Sequence, residues 1–142
     1  MARASAKVEL LRNVPLFSDL SAKELMSLSR LMDEIDLKPG TVIIREGNTG
    51  GEFFIVLEGT IEVKRKGRRL ARLGPGDYLG EIALIDHGPR TATAIVETPS
   101  RVLVLASREF HSMLASDPRI ENKILRTLAA RVRDMSPRSV AH

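Results

Sequence analysis

The chain has 142 residues, 43% hydrophobic and 28% charged, with 22 basic against 18 acidic side chains and a net charge of +4. That composition suits one folded domain and excludes an extended disordered polymer, while the mild basic excess does not by itself indicate nucleic acid. Cysteine is absent, which excludes disulfides, thiolate metal sites and cysteine nucleophiles. No apolar run approaches bilayer-spanning length, and no charged-then-apolar leader opens the sequence, so the expected compartment is the cytoplasm.

The first zone is helical. A short helix is expected around Ala4 to Arg12, and Pro15 separates it from a second. Ser21-Ala22-Lys23-Glu24 has the spacing of a capping box, in which hydroxyl and carboxylate each satisfy an orphan amide. Leu20 and Leu25 are placed for a hydrophobic staple, and Leu25, Leu28, Leu31 and Met32 fall on one helical face.

From Gly40 to Leu105 short apolar runs alternate with Gly and Pro. Strands are expected at Thr41–Ile44, Phe53–Leu57, Ile61–Val63, Ala94–Val96 and Val102–Leu105, rich in β-branched residues. Their number and spacing predict an antiparallel sandwich or barrel. Helical connections between them are missing, which disfavours a doubly wound parallel sheet. The basic run Lys64–Arg69 surrounds Gly67 and reads as a solvated hairpin turn, with no interleaved aromatic residues for base stacking.

The last zone returns to helix. Ser107 can cap a helix to about Leu114, and Asp117-Pro118 sets an N-cap followed by proline at the first helical position. Ile120, Ile124, Leu128, Val132 and Met135 form a stripe expected to pack in a core, and Pro137 ends the helix.

The segment Gly74 to Thr93, GPGDYLGEIALIDHGPRTAT, interrupts the strands with one helical turn, Glu81 to Ile85, introduced by Gly80. First-turn amides lack internal partners and carry the positive end of the helix dipole, so a phosphate is stabilised there. Pro89 fixes the backbone before Arg90, whose planar fork can grip two phosphate oxygens. Glu81 would repel a polyphosphate, yet it can accept hydrogen bonds from a sugar hydroxyl. Together these residues suit a ligand with one phosphate charge and a ribose.

The run Gly80-Glu81-Ile82-Ala83-Leu84 followed by Pro89-Arg90-Thr91-Ala92 closely resembles the phosphate-binding cassette of cyclic nucleotide-binding domains. Val14-Pro15-Leu16-Phe17, Lys38-Pro39-Gly40-Thr41, Glu46-Gly47 and Phe53–Gly59 resemble further landmarks of that family. The resemblance implies a mainly β fold, an antiparallel β-roll of the double-stranded β-helix or jelly-roll kind, with N-terminal helices and a C-terminal lid helix. It implies one domain over residues 1–142: helices in 1–36, the roll in 37–106 with its cassette at 80–92, and helices in 107–136.

Carried over residue by residue, the resemblance implies that Glu81 accepts the ribose 2′-hydroxyl and Arg90 binds the cyclic phosphate. Amides of Ala83 and Ala92 add donors, and Gly80 and Ile82 complete the cassette backbone. Thr91 offers its hydroxyl to the phosphate and to the amino group of a syn guanine. Val63 and Leu70 form an apolar wall, and Leu128, Arg131, Val132 and Met135 cap the base. The expected ligand is cAMP in preference to cGMP, with no catalysis and no further cofactor. An effector protein or a second copy is expected on the C-terminal helix, and neither DNA nor membrane binding is expected.

Other readings meet obstacles in the residues. A cupin-type metalloenzyme needs paired histidines on a strand, whereas His87, His111 and His142 are scattered, with His87 expected exposed in the cassette loop. Gly74, Gly76 and Gly80 are spaced one residue too long for a dinucleotide fingerprint and lack a βαβ unit. A transcription regulator would need a helix-turn-helix beyond Met135, so this chain is expected to be at most the sensor fragment of one, or of a channel. A β-roll that only contacts protein is the remaining alternative, against which stand Glu81 and Arg90 together.

Overall fold

A computed structural model describes residues 3–135 of the chain. In order, α1 (Ala4–Arg12), a 3-10 helix (Pro15–Phe17) and α2 (Ala22–Ser29) precede the strands β1 (Asp33–Leu37), β2 (Val42–Ile44), β3 (Glu52–Glu58), β4 (Ile61–Arg65), β5 (Arg68–Leu73) and β6 (Tyr78–Leu79). A short helix, α3 (Ala83–Asp86), then leads to β7 (Thr93–Val96), β8 (Ser100–Ala106), α4 (Ser107–Ser116) and α5 (Pro118–Met135). These elements form two compact units, one of residues 31–110 and one combining the described residues of 2–30 and 111–142.

The first unit is the β-roll, two antiparallel four-stranded sheets with orders β1-β8-β3-β6 and β2-β7-β4-β5. β3 lies inside its sheet, paired with β8 on one side and β6 on the other. Phe53, Phe54, Ile55 and Val56 are all buried, so its continuous apolar run reads as a strand covered on both faces. Ile44, Phe54, Val56, Ile61, Ala94, Val96 and Val102 make the core between the sheets. At the β4–β5 hairpin Lys66 and Gly67 take φ of 51° and 77°, the left-handed pair of a two-residue turn, so the basic run falls on a hairpin as Gly67 indicates, with Lys66 and Gly67 at its tip.

Strand β1 departs from the expected division, which left 1–36 to helices. Its sequence, Asp-Glu-Ile-Asp-Leu, lacks an apolar run because it is an edge strand, held by pairing to β8. Asp36 stands opposite Arg101 in register and accepts from its Nε at 2.8 Å. β5 and β6 also lie outside the expected strands, being charged or only two residues long.

In the second unit the capping box forms as the spacing predicts. The Ser21 hydroxyl accepts from the Glu24 amide at 3.1 Å, and Glu24 Oε1 accepts from the Ser21 amide at 2.8 Å. Leu20, Leu25 and Leu28 are buried, but α2 stops at Ser29, so Leu31 and Met32 lie beyond it rather than on its face. Asp117 starts α5, its Oδ1 accepting from the Arg119 amide at 3.1 Å and its carbonyl from those of Ile120 and Glu121. Ile120 and Ile124 are buried as the stripe predicts, whereas Val132 is 58% exposed and Thr127 takes a buried place instead. Lys123 Nζ meets Glu24 Oε1 at 2.6 Å, and Thr127 Oγ1 donates to Asp19 Oδ2 at 3.2 Å.

Candidate functional site

The chain leaves β6 through Gly80, whose φ of 89° is open to glycine at little steric cost. The helical turn follows directly. Leu84 donates to the Glu81 carbonyl at 3.2 Å and Ile85 to that of Ile82 at 2.9 Å, so the turn begins at Glu81 although α3 itself spans Ala83–Asp86. His87 closes it in the left-handed region, φ 54°, exposed as expected, with its Nε2 bonded to the Ser107 hydroxyl. Ala83 and Leu84 are buried beneath.

Beyond Pro89 the backbone of Arg90 is fixed from both sides by the β2–β3 loop. Its amide donates to the Asn48 carbonyl at 2.8 Å, and its carbonyl accepts from Gly47 at 2.9 Å. The side chain turns inward and is only 7% exposed. Its Nη2 donates to the Glu52 carbonyl at 2.8 Å and lies 3.6 Å from the Glu52 carboxylate. Burial pulls the guanidinium below its ordinary pKa, and Glu52 partly offsets that pull. Arginine nevertheless stays charged, so the fold holds a positive charge in a recess.

Two cavities adjoin this recess. One, of about 240 Å³, is lined by Val63, Leu70, Leu79, Arg90, Thr91 and Ala92 among others. The other, of about 280 Å³, is lined by Glu81, Ile82, Ala83, Asp86 and Pro89, and shares Gly80, Arg90 and Thr91 with the first. Each approaches the lower end of small-molecule sites, roughly 300 Å³. One cavity is apolar toward Val63 and Leu70; the other carries the carboxylates of Glu81 and Asp86 and the start of a helical turn. Gly80, Glu81, Ile82, Ala83, Arg90, Thr91, Ala92, Val63 and Leu70, all singled out in the sequence, are brought together here.

Leu128, Arg131, Val132 and Met135 belong to α5 in the second unit. Leu128 and Arg131 are partly buried, Val132 is exposed, and the Met135 side chain lies outside the described residues. The sequence reading missed Glu52 and Arg65. Glu52 approaches Arg90 from a strand nearly 40 positions earlier, which no spacing reveals. Arg65 lines the apolar cavity, and its position two residues after Val63 on β4 is the signal that places both on one face. Among the described residues no group of three or more His, Asp or Glu is placed to hold a metal, and no helix is long and apolar enough to cross a membrane.

An antiparallel β-roll interrupted by a helical turn, with a buried arginine beyond it, defines a class of domain with a recessed cation. The model of the cyclic nucleotide-binding domain family matches residues 34–117, more than half of the chain. The chain belongs to the cyclic nucleotide-binding domain family. It is 38% identical over 106 residues to a cAMP-dependent protein kinase regulatory subunit of Yarrowia lipolytica, covering 73% of this chain and 28% of that protein. Over 130 residues it is 29% identical to a CRP-like cAMP-activated global transcriptional regulator of Mycobacterium tuberculosis, covering 88% of this chain and 58% of that one. The crystal structure of the N-terminal domain of a transcriptional regulator from Streptomyces coelicolor A3(2) matches with a TM-score of 0.82 at 33% identity, over 90% of this chain and 95% of that one. The chain thus spans less than two thirds of the length of these two curated relatives.

Proposed function

We propose that the chain is a cytoplasmic, non-catalytic regulatory module, one domain over residues 1–142, that binds a cyclic nucleotide and repositions its C-terminal helix in response. The observation that carries this reading is the buried Arg90 guanidinium, which lines both cavities at once. A single monovalent phosphate at their junction meets a preformed cation, while a ribose lies toward Glu81 and a base toward Val63 and Leu70.

In this reading Arg90 binds the cyclic phosphate, and the amides of Ala83 and Ala92 donate to it. Glu81 accepts the ribose 2′-hydroxyl, Gly80 and Ile82 shape the backbone there, and Thr91 donates its hydroxyl to the phosphate. The same hydroxyl meets the amino group of a syn guanine. cAMP is nonetheless favoured over cGMP, since the two curated relatives are described as cAMP-dependent and cAMP-activated. Leu128, Arg131 and Val132 cap the base from α5. The ligand drives α5 only as far as it binds the closed arrangement better. The moved helix then meets an effector protein or a second copy of the chain.

Calorimetric titration of the nucleotide-stripped chain with cAMP, and with cGMP in a matched run, tests the reading. Saturable binding at one site, tighter for cAMP, is expected. Silence with both ligands on folded protein would overturn it in favour of a β-roll that contacts only protein.

A further inference from the structure

The tip of the β4–β5 hairpin carries a second guanidinium into the wall of the apolar cavity. Along β4 the residues Ile61, Val63 and Arg65 alternate with Glu62 and Lys64, so the two sets face opposite ways. Glu62 and Lys64 pair with each other at 3.4 Å, and Glu62 also holds Arg69 at 2.7 Å. Val63 and Arg65 line the cavity. From there Arg65 Nε donates to the carbonyl oxygen of Thr91 at 2.9 Å.

The hairpin tip is itself anchored. The Lys66 amide donates to Glu46 Oε1 at 3.0 Å, and the Glu46 amide donates to Thr93 Oγ1 at 2.9 Å. The segment 91–93 is therefore tied at both ends, at Thr91 by Arg65 and at Thr93 by Glu46. The Thr91 carbonyl and the Ala92 amide belong to one planar peptide unit, trans like every other described here. In a trans unit the two groups point in opposite directions, so fixing the carbonyl also aims the amide. A cation on the carbonyl further polarises the N–H into a better donor.

We infer that Arg65 is a positioning residue of the anion site, clamping the Thr91 carbonyl so that the Ala92 amide is held as a phosphate donor beside Arg90. The clamp exists in the ligand-free chain; its effect on affinity rests on the nucleotide reading above. Side-chain topology separates the clamp from simple charge. Gln carries a nitrogen donor at the position of the arginine Nε but no charge, whereas Lys carries the charge with a methylene at that position.

The experiment compares wild type with Arg65→Ala, Arg65→Gln and Arg65→Lys in the full chain. Melting temperature reports the fold, the amide 15N order parameter of Ala92 without ligand reports the clamp, and titration with cAMP reports its consequence. Arg65→Ala is expected to melt as wild type does, to drop the Ala92 order parameter from the rigid value of roughly 0.85, and to weaken cAMP binding about tenfold, which corresponds to about 1.4 kcal/mol. Arg65→Gln is expected to restore order and most of the affinity, and Arg65→Lys neither. Unchanged Ala92 order in Arg65→Ala overturns the clamp whether or not nucleotide binds. Full recovery of affinity by Arg65→Lys alone overturns it in favour of charge. Loosened Ala92 in a chain that binds no cyclic nucleotide leaves the clamp standing and removes the nucleotide reading.

Discussion

Gly80 and Arg90 contend for one space: a Cβ on Gly80 would stand 2.9 Å from Arg90 Nη1 and 2.7 Å from the carbonyl oxygen of Glu52. The backbone neighbour cannot yield, and the positive φ of Gly80 disfavours any other residue. Gly80→Ala is expected to cost about 1–3 kcal/mol of stability through strain and to displace the Arg90 fork. Thermal unfolding and cAMP titration of the same variant should therefore fall together.

Arg90→Ala should separate binding from folding. The arginine is fixed by main-chain bonds that the substitution leaves in place, at Asn48 and Gly47. A hydrogen bond to a charged group contributes roughly 1.5–3 kcal/mol, so affinity should drop by about tenfold to about 150-fold. Circular dichroism should remain as in wild type. Arg90→Lys should recover only part of the loss, because a point charge lacks the fork.

The Glu24 carboxyl gives a pH signature to the helical unit. Burial disfavours its charged form, but the hydrogen bond from Lys123, the Ser21 amide and the Lys123 charge outweigh burial and hold it below the usual carboxylate range. A folded-state value below the unfolded one stabilises the protein above the unfolded value, and this contribution is lost as pH falls through the folded value. The melting temperature of the wild type should therefore fall as pH drops below roughly 4. Glu24→Gln should melt lower at neutral pH and lose less on acidification.

The proposed repositioning of α5 has a direct readout in amide exchange. Saturating cAMP is expected to slow exchange across Ile120–Asp134 in the wild type and to leave Arg90→Ala unchanged. Leu128→Asp should weaken cAMP binding several-fold without altering the exchange of the β-roll. Identical α5 exchange with and without bound cAMP would exclude the lid.

The sequence was legible where chemistry is local. The capping box at Ser21 and Glu24, the start of α5 at Asp117 and the hairpin tip at Gly67 each follow from one short stretch of chain. The nine cassette and wall residues were singled out through the resemblance of Gly80–Leu84 and Pro89–Ala92 to a family's cassette, and the structure places all nine around the two cavities. β1 could not be read, since an edge strand such as Asp33–Leu37 is specified by its partner rather than by its own hydrophobicity. Val132 misled the helical stripe because periodicity cannot tell which end of a helix is covered. The contacts of Arg90 with Glu52 and of Arg65 with Thr91 join residues distant in sequence, so only the folded chain reveals them.

The passage from β6 to β7 is also the passage from one sheet to the other, because β6 pairs with β3 whereas β7 pairs with β2 and β4. β1 meanwhile finds its partner in β8, Asp33 opposite Val104. The roll therefore closes through contacts between distant parts of the chain, a topology that folds slowly. The Arg90 recess draws its lining from both sheets, Leu79 of β6 in one and Val63 of β4 and Ala94 of β7 in the other, so it needs the two brought together. Any ligand that occupies it is released from partly opened forms and favours the closed one by mass action. Saturation should accordingly lengthen the lifetime of the folded chain, and a protease that cuts opened molecules would register occupancy as survival.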